Sequence, residues 1–392
     1  MDRKDKPIFK YALAVVYFSS GTGNSYLAAR WLFEACLKKG TPSSLIPIDK
    51  AVPRTDLENC RKTLIGLAFP THGLLPPWSV IKFLFKMPRK NGADFLCLPT
   101  RGSFYIGPFL VPGAAGLASF FPALVLLFKG YRPRGAVSFD MPANMTFLHP
   151  RLTVRHAERV IARAKRKFDR NSDRFFRTGW RWLTRNNLYE LIWAAVVLYY
   201  IPLFLPLYLI VGRFFMGKIM YANVKCTGCG TCVRSCQAGA LVLRGAKVKR
   251  PYWRYNCEAC LRCLNACPQR AVSASLSWAV LLWYIGIAVS FGGTVFSLIG
   301  GIIPSLEPFR NWWSLELANS IFYYPAFLAA YFLFYHLTRF KPVSDLFYYL
   351  SPDRFFIQYL APGASLGEMT KILKRKTHTS SSADSASFPG GG

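Results

Sequence analysis

Apolar residues are arranged along the chain in two distinct ways. In the first third they form short runs bounded by turn formers: KYALAVVYF (10–18), SSLIPI (43–48), TLIGLAFP (63–70), ADFLCLP (93–99) and GAVSFDMP (135–142). Such runs are the mark of buried strands. Helix-period segments separate them, SYLAARWLFEACLKKG after the first run and the amphipathic WSVIKFLFKM (78–87) after the third. The alternation predicts an α/β doubly wound sheet over residues 1–150. Further on, 188–212, 275–303 and 317–337 are long apolar runs, and a bilayer core about 30 Å thick needs runs of that length. Pro202 and Pro206 break the first run and both its flanks are basic, which predicts a re-entrant or interfacial segment over 188–215. The other two predict a transmembrane helical hairpin over 274–340. Residues 104–128 carry no charge either, but three prolines and the following strand favour a crossover helix on the sheet, preceded by an apolar loop at a lipid interface.

Composition sharpens the membrane expectation. Hydrophobic residues make up 52% of the 392, and 50 Lys and Arg against 19 Asp and Glu leave a net charge of +31. So large an excess implies a polyanionic neighbour, and the apolar content favours anionic lipid over nucleic acid. Residues 151–187 concentrate the charge, with arginines from Arg151 to Arg181 at three- and four-residue steps beside Phe175, Phe176, Trp180 and Trp182. They predict a basic amphipathic linker helix on a membrane surface. The basic N-terminus lacks a small-residue cleavage site, and basic flanks then place the sheet domain and the stretch 216–273 on the cytoplasmic face of a membrane. Residues 341–392 read as a cytoplasmic tail, disordered at its low-complexity end.

Eleven cysteines change the picture most. Cys36, Cys60 and Cys97 are scattered, whereas Cys226, Cys229, Cys232 and Cys236 repeat their spacing in Cys257, Cys260, Cys263 and Cys267. Three thiolates from one tight loop suit three irons of a cubane, and a third cysteine at the same step, occurring twice, argues against paired-ligand zinc. The pattern resembles a two-cluster 4Fe-4S ferredoxin domain over 216–273. That resemblance implies an α+β unit in which Cys226, Cys229, Cys232 and Cys267 hold one cluster and Cys257, Cys260, Cys263 and Cys236 the other. Pro268 stands where the family has proline; Gln237 replaces its counterpart in the first run.

Between the first strand and first helix lies SSGTGNS, a small-residue loop suited to a phosphate at a helix N-terminus. It is neither a Walker loop nor a Rossmann fingerprint. It resembles the phosphate loop of flavodoxins, which implies a flavodoxin-like sheet binding FMN through Ser20, Thr22, Gly23, Asn24 and Ser25. Family position adds two further loops, with His72 and Gly73 on one side of the ring and Arg101, Gly102, Ser103 and Tyr105 around the other edge. The chain as a whole resembles the fused flavodoxin-ferredoxin proteins, here with a membrane anchor. The resemblance implies electron transfer between two 4Fe-4S clusters and FMN, with a soluble electron carrier on one side and a quinone, isoprenoid or lipid acceptor on the other. A redox sensor or an electron-feeding subunit is the alternative. Beyond His72 and the weaker Tyr105 the sequence offers no acid or base, so the catalytic residues stay unknown.

Overall fold

The computed structural model describes residues 10–51, 62–89, 92–145, 153–176, 182, 184–200, 213–245, 249–288, 302, 329–351 and 358–375. The first strand, β1 (Leu13–Phe18), shows why the sheet is covered on both faces. Its even residues Ala14, Val16 and Phe18 join one core cluster, and its odd residues Val15 and Tyr17 join another. Helix α1 (Asn24–Lys38) buries Leu27, Ala28, Trp31 and Leu32 on the first face. The strands β2 (Ser43–Pro47), β3 (Thr63–Pro70) and β4 (Asp94–Ile106) continue the sheet. Helix α2 (Trp78–Lys86) covers the second face through Val80, Phe83 and Leu84.

After β4 the chain turns back as β5 (Phe109–Val111), crosses over in α3 (Phe121–Phe128) and returns as β6 (Arg132–Ala136) and β7 (Phe139–Pro142). Both of the last two strands pair with β4 in parallel, so together they make the fifth position of a parallel order 2-1-3-4-5. This order is flavodoxin-like, and its ligand crevice lies at the carboxyl ends of β1 and β3. The sequence predicted a loop at 100–105; instead β4 runs through it, because Thr100–Ser103 pair with β7 and Phe104–Ile106 with β5.

Helix α4 (Val154–Phe175) takes its N-cap from Thr153, whose Oγ1 accepts from the His156 amide. Ala157, Ala164 and Phe168 pack it on the same face as α1, leaving Arg155, Arg159 and Arg163 outward. The basic stripe is thus the outer face of a crossover-type helix. Helix α5 (Arg185–Tyr200) follows, anchored by buried Glu190, which accepts hydrogen bonds from the Ala115 and Gly116 amides and pairs with Arg101.

The second unit is built from two hairpin-like halves. β8 (Met220–Ala222) pairs with β11 (Val272–Ala274), and β9 (Leu241–Arg244) with β10 (Arg250–Trp253), all antiparallel. One-turn helices α6 (Thr231–Arg234) and α7 (Arg262–Asn265) follow the two cysteine loops. Residues 358–375 then return to the first unit, ending in β12 (Leu373–Arg375), which adds antiparallel to β2.

The expected transmembrane helices and membrane localisation are overturned. Among the described residues no helix is long and apolar enough to cross a membrane. The helix Leu276–Ala288 has 13 residues, and it lies on the second unit with Trp278 stacked on Phe334 at 4.2 Å and bonded to the Lys218 carbonyl. Trp278, Leu282, Tyr331 and Phe334 complete that unit's core, so apolar residues read as lipid-facing cover protein. The apolar stretch 104–128 is spent on the β4–β5 hairpin and α3. Residues 201–212 of the expected re-entrant or interfacial segment, and 289–301 and 303–328 of the expected hairpin, lie outside the described residues.

Candidate functional site

The two cysteine runs fold into matching loops. Gly228 and Gly230 take φ of 71° and 74°, and Ala259 and Leu261 hold the same places in the second loop at 51° and 60°. Cys232 senses the charges of Cys226, Cys267 and Cys229, while Cys263 senses those of Cys257, Cys260 and Cys236. The chain therefore gathers two groups of four, each completed by the last cysteine of the other run. The Ala240 amide donates to Cys236 Sγ (3.2 Å) and the Ala271 amide to Cys267 Sγ (3.3 Å), the polarising contacts a ligand thiolate takes. Burial pushes the Cys257 thiol up to about 12 and Cys232 to about 11, so these sulfurs need a cationic metal to ionise. Among the described residues no three His, Cys, Asp or Glu side chains converge as on a single ion. A cubane does not require that, since each thiolate takes its own iron.

At the other end of the site, the loop after β1 wraps the start of α1. Gly23 sits at φ 97° and its amide donates to Ser20 Oγ, while Asn24 reaches the Pro142 carbonyl and Ser25 Oγ lies 2.7 Å from Thr100 Oγ1. A cavity of about 320 Å³ opens beside it, lined by Ser20, Thr22, Asn24, Ser25, Thr71, His72, Gly73, Arg101 and Gly102. Gly23 supports the loop from behind, where a Cβ would meet Ala364 and Ala361. Ser103 is buried with its hydroxyl on the Met141 carbonyl, and Tyr105 lies against His156; neither lines the cavity. Thr71 Oγ1 is buried, faces this region and has no hydrogen-bond partner, an orphan that a bound polar ligand would satisfy. Arg101 is nearly buried, bidentate to Asp140 and bonded to Glu190. Burial lowers the His72 imidazole to about 4, so it is neutral at pH 7.

The two units meet here, through residues of which the sequence singled out only Gln237, the small-residue loop and the cysteines. Glu258 and Ala259, from within the second cysteine loop, form part of the 320 Å³ cavity wall. A Cβ on Gly21 would stand 2.0 Å from the Cys260 carbonyl oxygen, so only glycine permits this approach. Arg262, 1% exposed, donates to the carbonyls of Ser20 (2.5 Å), Gly21 (3.1 Å) and Ser235 (2.9 Å). Gln237, in the place of the first run's proline, lies beside Ser20 and Arg262, and with its amide oxygen and nitrogen exchanged to satisfy both it donates to the Ser20 carbonyl (3.3 Å) and accepts from Arg262 (2.8 Å). Proline offers neither contact. The segment after 357 straps the same junction: Gln358 donates to the Leu264 and Cys267 carbonyls, Tyr359 to Asn24, and the Ala361 amide to the Thr22 carbonyl. A second cavity of about 590 Å³ shares Pro70, His72 and Glu258 with the first and opens between α2 and the second cysteine loop.

Residues 218–268 match the family model described as a 4Fe-4S dicluster domain. This stretch carries two 4Fe-4S clusters, and its chemistry is electron transfer. No curated protein matches the chain. Among solved structures, a flavodoxin of Streptococcus pneumoniae TIGR4 is 19% identical over 39% of this chain and 96% of its own, with a TM-score of 0.28. An archaeal flavodoxin is 13% identical, with 41% and 98% covered and a TM-score of 0.27. Rubredoxin oxygen:oxidoreductase from Desulfovibrio gigas is 14% identical over 43% of this chain and 38% of its own, with a TM-score of 0.26.

Proposed function

We propose that the chain passes electrons between its two 4Fe-4S clusters and an FMN held in the 320 Å³ cavity, all within one polypeptide. The observation that carries this reading is the junction itself: the loop that would hold the phosphate touches the second cluster's loop at Gly21 and Cys260. Bound FMN supplies one- and two-electron chemistry, and each 4Fe-4S cluster one-electron chemistry. Ser20, Thr22 and Ser25 would hold the phosphate at the positive end of α1. Arg262 fixes the spacing of the two loops, and its charge partly offsets the burial that raises the Cys260 thiol. Neutral His72 stands between the two cavities, where it can donate or accept one hydrogen bond without adding charge.

The first cluster is the point of exchange with a soluble electron carrier. Cys229 is exposed, whereas Cys263 is buried. Arg234, bonded to the Cys229 carbonyl, makes that surface suited to an acidic carrier. The 590 Å³ cavity, walled by Trp78, Tyr255 and Cys257, offers an acceptor access to both redox groups.

Anaerobic reconstitution followed by iron and flavin counting tests the reading. About eight irons, two clusters of four, with one FMN per chain are expected. Four irons, or no flavin retained, contradicts it.

A further inference from the structure

A third cavity, of about 560 Å³, lies where α4 meets the start of α5, away from the cysteine loops. Its walls carry Arg163, Lys167 and Arg170, spaced to share one face of α4, and Arg185 and Asn186 from the first turn of α5. Arg101 in its floor lies over the Tyr189 ring and is already met by two carboxylates, bidentate by Asp140, the one carboxylate among the lining residues, and by buried Glu190 behind the wall. That leaves four cations. Among the described residues none of Arg163, Lys167, Arg170 and Arg185 is ion-paired with a carboxylate. Lys167 is set deepest, its ammonium held by two neutral acceptors, the Ser138 carbonyl and Asn186 Oδ1, both at 2.6 Å. Burial first, and then the nearby Arg101, push it down to about 8 against the opposing pull of Asp140 and Glu190. The amino end of α5, where Thr184 Oγ1 caps the Asn187 amide, adds its positive pole to the same space.

We propose that this cavity binds a multiply phosphorylated small molecule of the nucleoside diphosphate type. Guanidinium groups and a helix N-terminus suit phosphate oxygens, and the four cations, one of them offset by the surplus carboxylate on Arg101, still exceed the charge of a single phosphate. The space falls within the roughly 300–1,000 Å³ of ordinary ligand sites and is larger than one phosphate requires. Arg163, Arg170 and Arg185 are exposed at its mouth and Lys167 is half-buried at the back; that concavity sets it apart from Arg155 and Arg159, which share the outward stripe with Arg163 but lie outside its walls. An occupant would also be felt at the first cavity. Glu190, one turn after Arg185, holds Arg101, and Arg101 lines both spaces.

The test is calorimetry on the full chain with its clusters in place, using inorganic pyrophosphate and ADP as probes at physiological salt. One saturable site is expected. It should weaken about tenfold or more in Lys167→Gln and in the surface double variant Arg163→Gln/Arg170→Gln, and hold unchanged in Arg155→Gln/Arg159→Gln. No saturable binding overturns the proposal, as does equal weakening in the control pair, or binding no tighter than sulfate at matched ionic strength. Iron and flavin absorbance of each variant keeps a failure here distinct from a failure of the electron-transfer reading.

Discussion

The two cysteine loops have the same spacing and backbone but opposite surroundings. In the first, Gly228 and Gly230 supply the left-handed conformations, Cys229 faces solvent, and the residue before its third cysteine is Thr231. In the second, Ala259 and Leu261 are forced into those conformations, and the residue before its third cysteine is the buried Arg262. Lys218 is buried beside this loop as well, bonded to the Trp253 carbonyl and 4.2 Å from the Tyr331 ring centre. A ligand frame repeated in one chain can thus be specialised by its neighbours alone: one copy is left open to solvent, and the other is built against a second unit.

Substituting the residue before each third cysteine should separate the loops most. Arg262→Leu leaves the Ser20, Gly21 and Ser235 carbonyls without their donor. It should cost about 3 kcal/mol or more, against less than about 1 kcal/mol for Thr231→Ala, read from urea midpoints of the cluster-loaded proteins. Gly21→Ala comes next. Its Cβ cannot fit against Cys260, so a cost of about 2–3 kcal/mol and weaker flavin retention are expected. Gly239→Ala, open to space but at φ 58°, should cost about 1 kcal/mol. If the two glycine variants behaved alike, the close approach of the domains would be wrong.

A pH titration sharpens the comparison on the second loop's side. His72 has its folded pKa lowered from 6.5 to about 4, so the unfolded chain takes up its proton first. The stability tied to neutral His72 is complete above about 6.5 and declines as pH falls toward about 4. His72→Gln should flatten that part of a stability-against-pH curve, and a curve unchanged by the substitution would place the imidazole in solvent. The smallest effect expected is in the strained second loop, where Ala259→Gly should gain about 0.5–1 kcal/mol; the matching change in the first loop, Gly228→Ala, has the opposite sign and costs more, about 1–2 kcal/mol, because its Cβ would lie 2.7 Å from the Lys249 carbonyl oxygen.

Local chemistry was legible in the sequence where spacing carries it. Cysteines at fixed steps and a small-residue loop between strand and helix declare themselves, and the order of apolar runs announced the parallel sheet. Arg262 did not, because one buried arginine among 50 Lys and Arg has no distinguishing neighbour pattern. The second loop's x-x positions between cysteines were the only available signal. Gln237 was visible as a departure from the family proline, yet its partner Ser20 lies 217 positions away and only the fold brings them together. The long apolar runs misled for a physical reason. Hydropathy measures avoidance of water and is blind to what replaces it, so Trp278 and Phe334, stacked within the second unit, read the same as lipid-facing residues. The strap of Gln358 and Tyr359 sat in a stretch taken for tail, since single hydrogen bonds leave no periodicity.

The central claim is contact between the flavin's loop and the second cluster. Stopped-flow absorbance on anaerobic protein loaded with FMN and both clusters, with electrons delivered by a reduced soluble carrier, tests it most directly. Cluster bleaching should be followed by flavin reduction at a first-order rate that does not change with protein concentration and falls in Gly21→Ala. Flavin reduction whose rate scales with protein concentration, or that fails to follow the clusters at all, would contradict it.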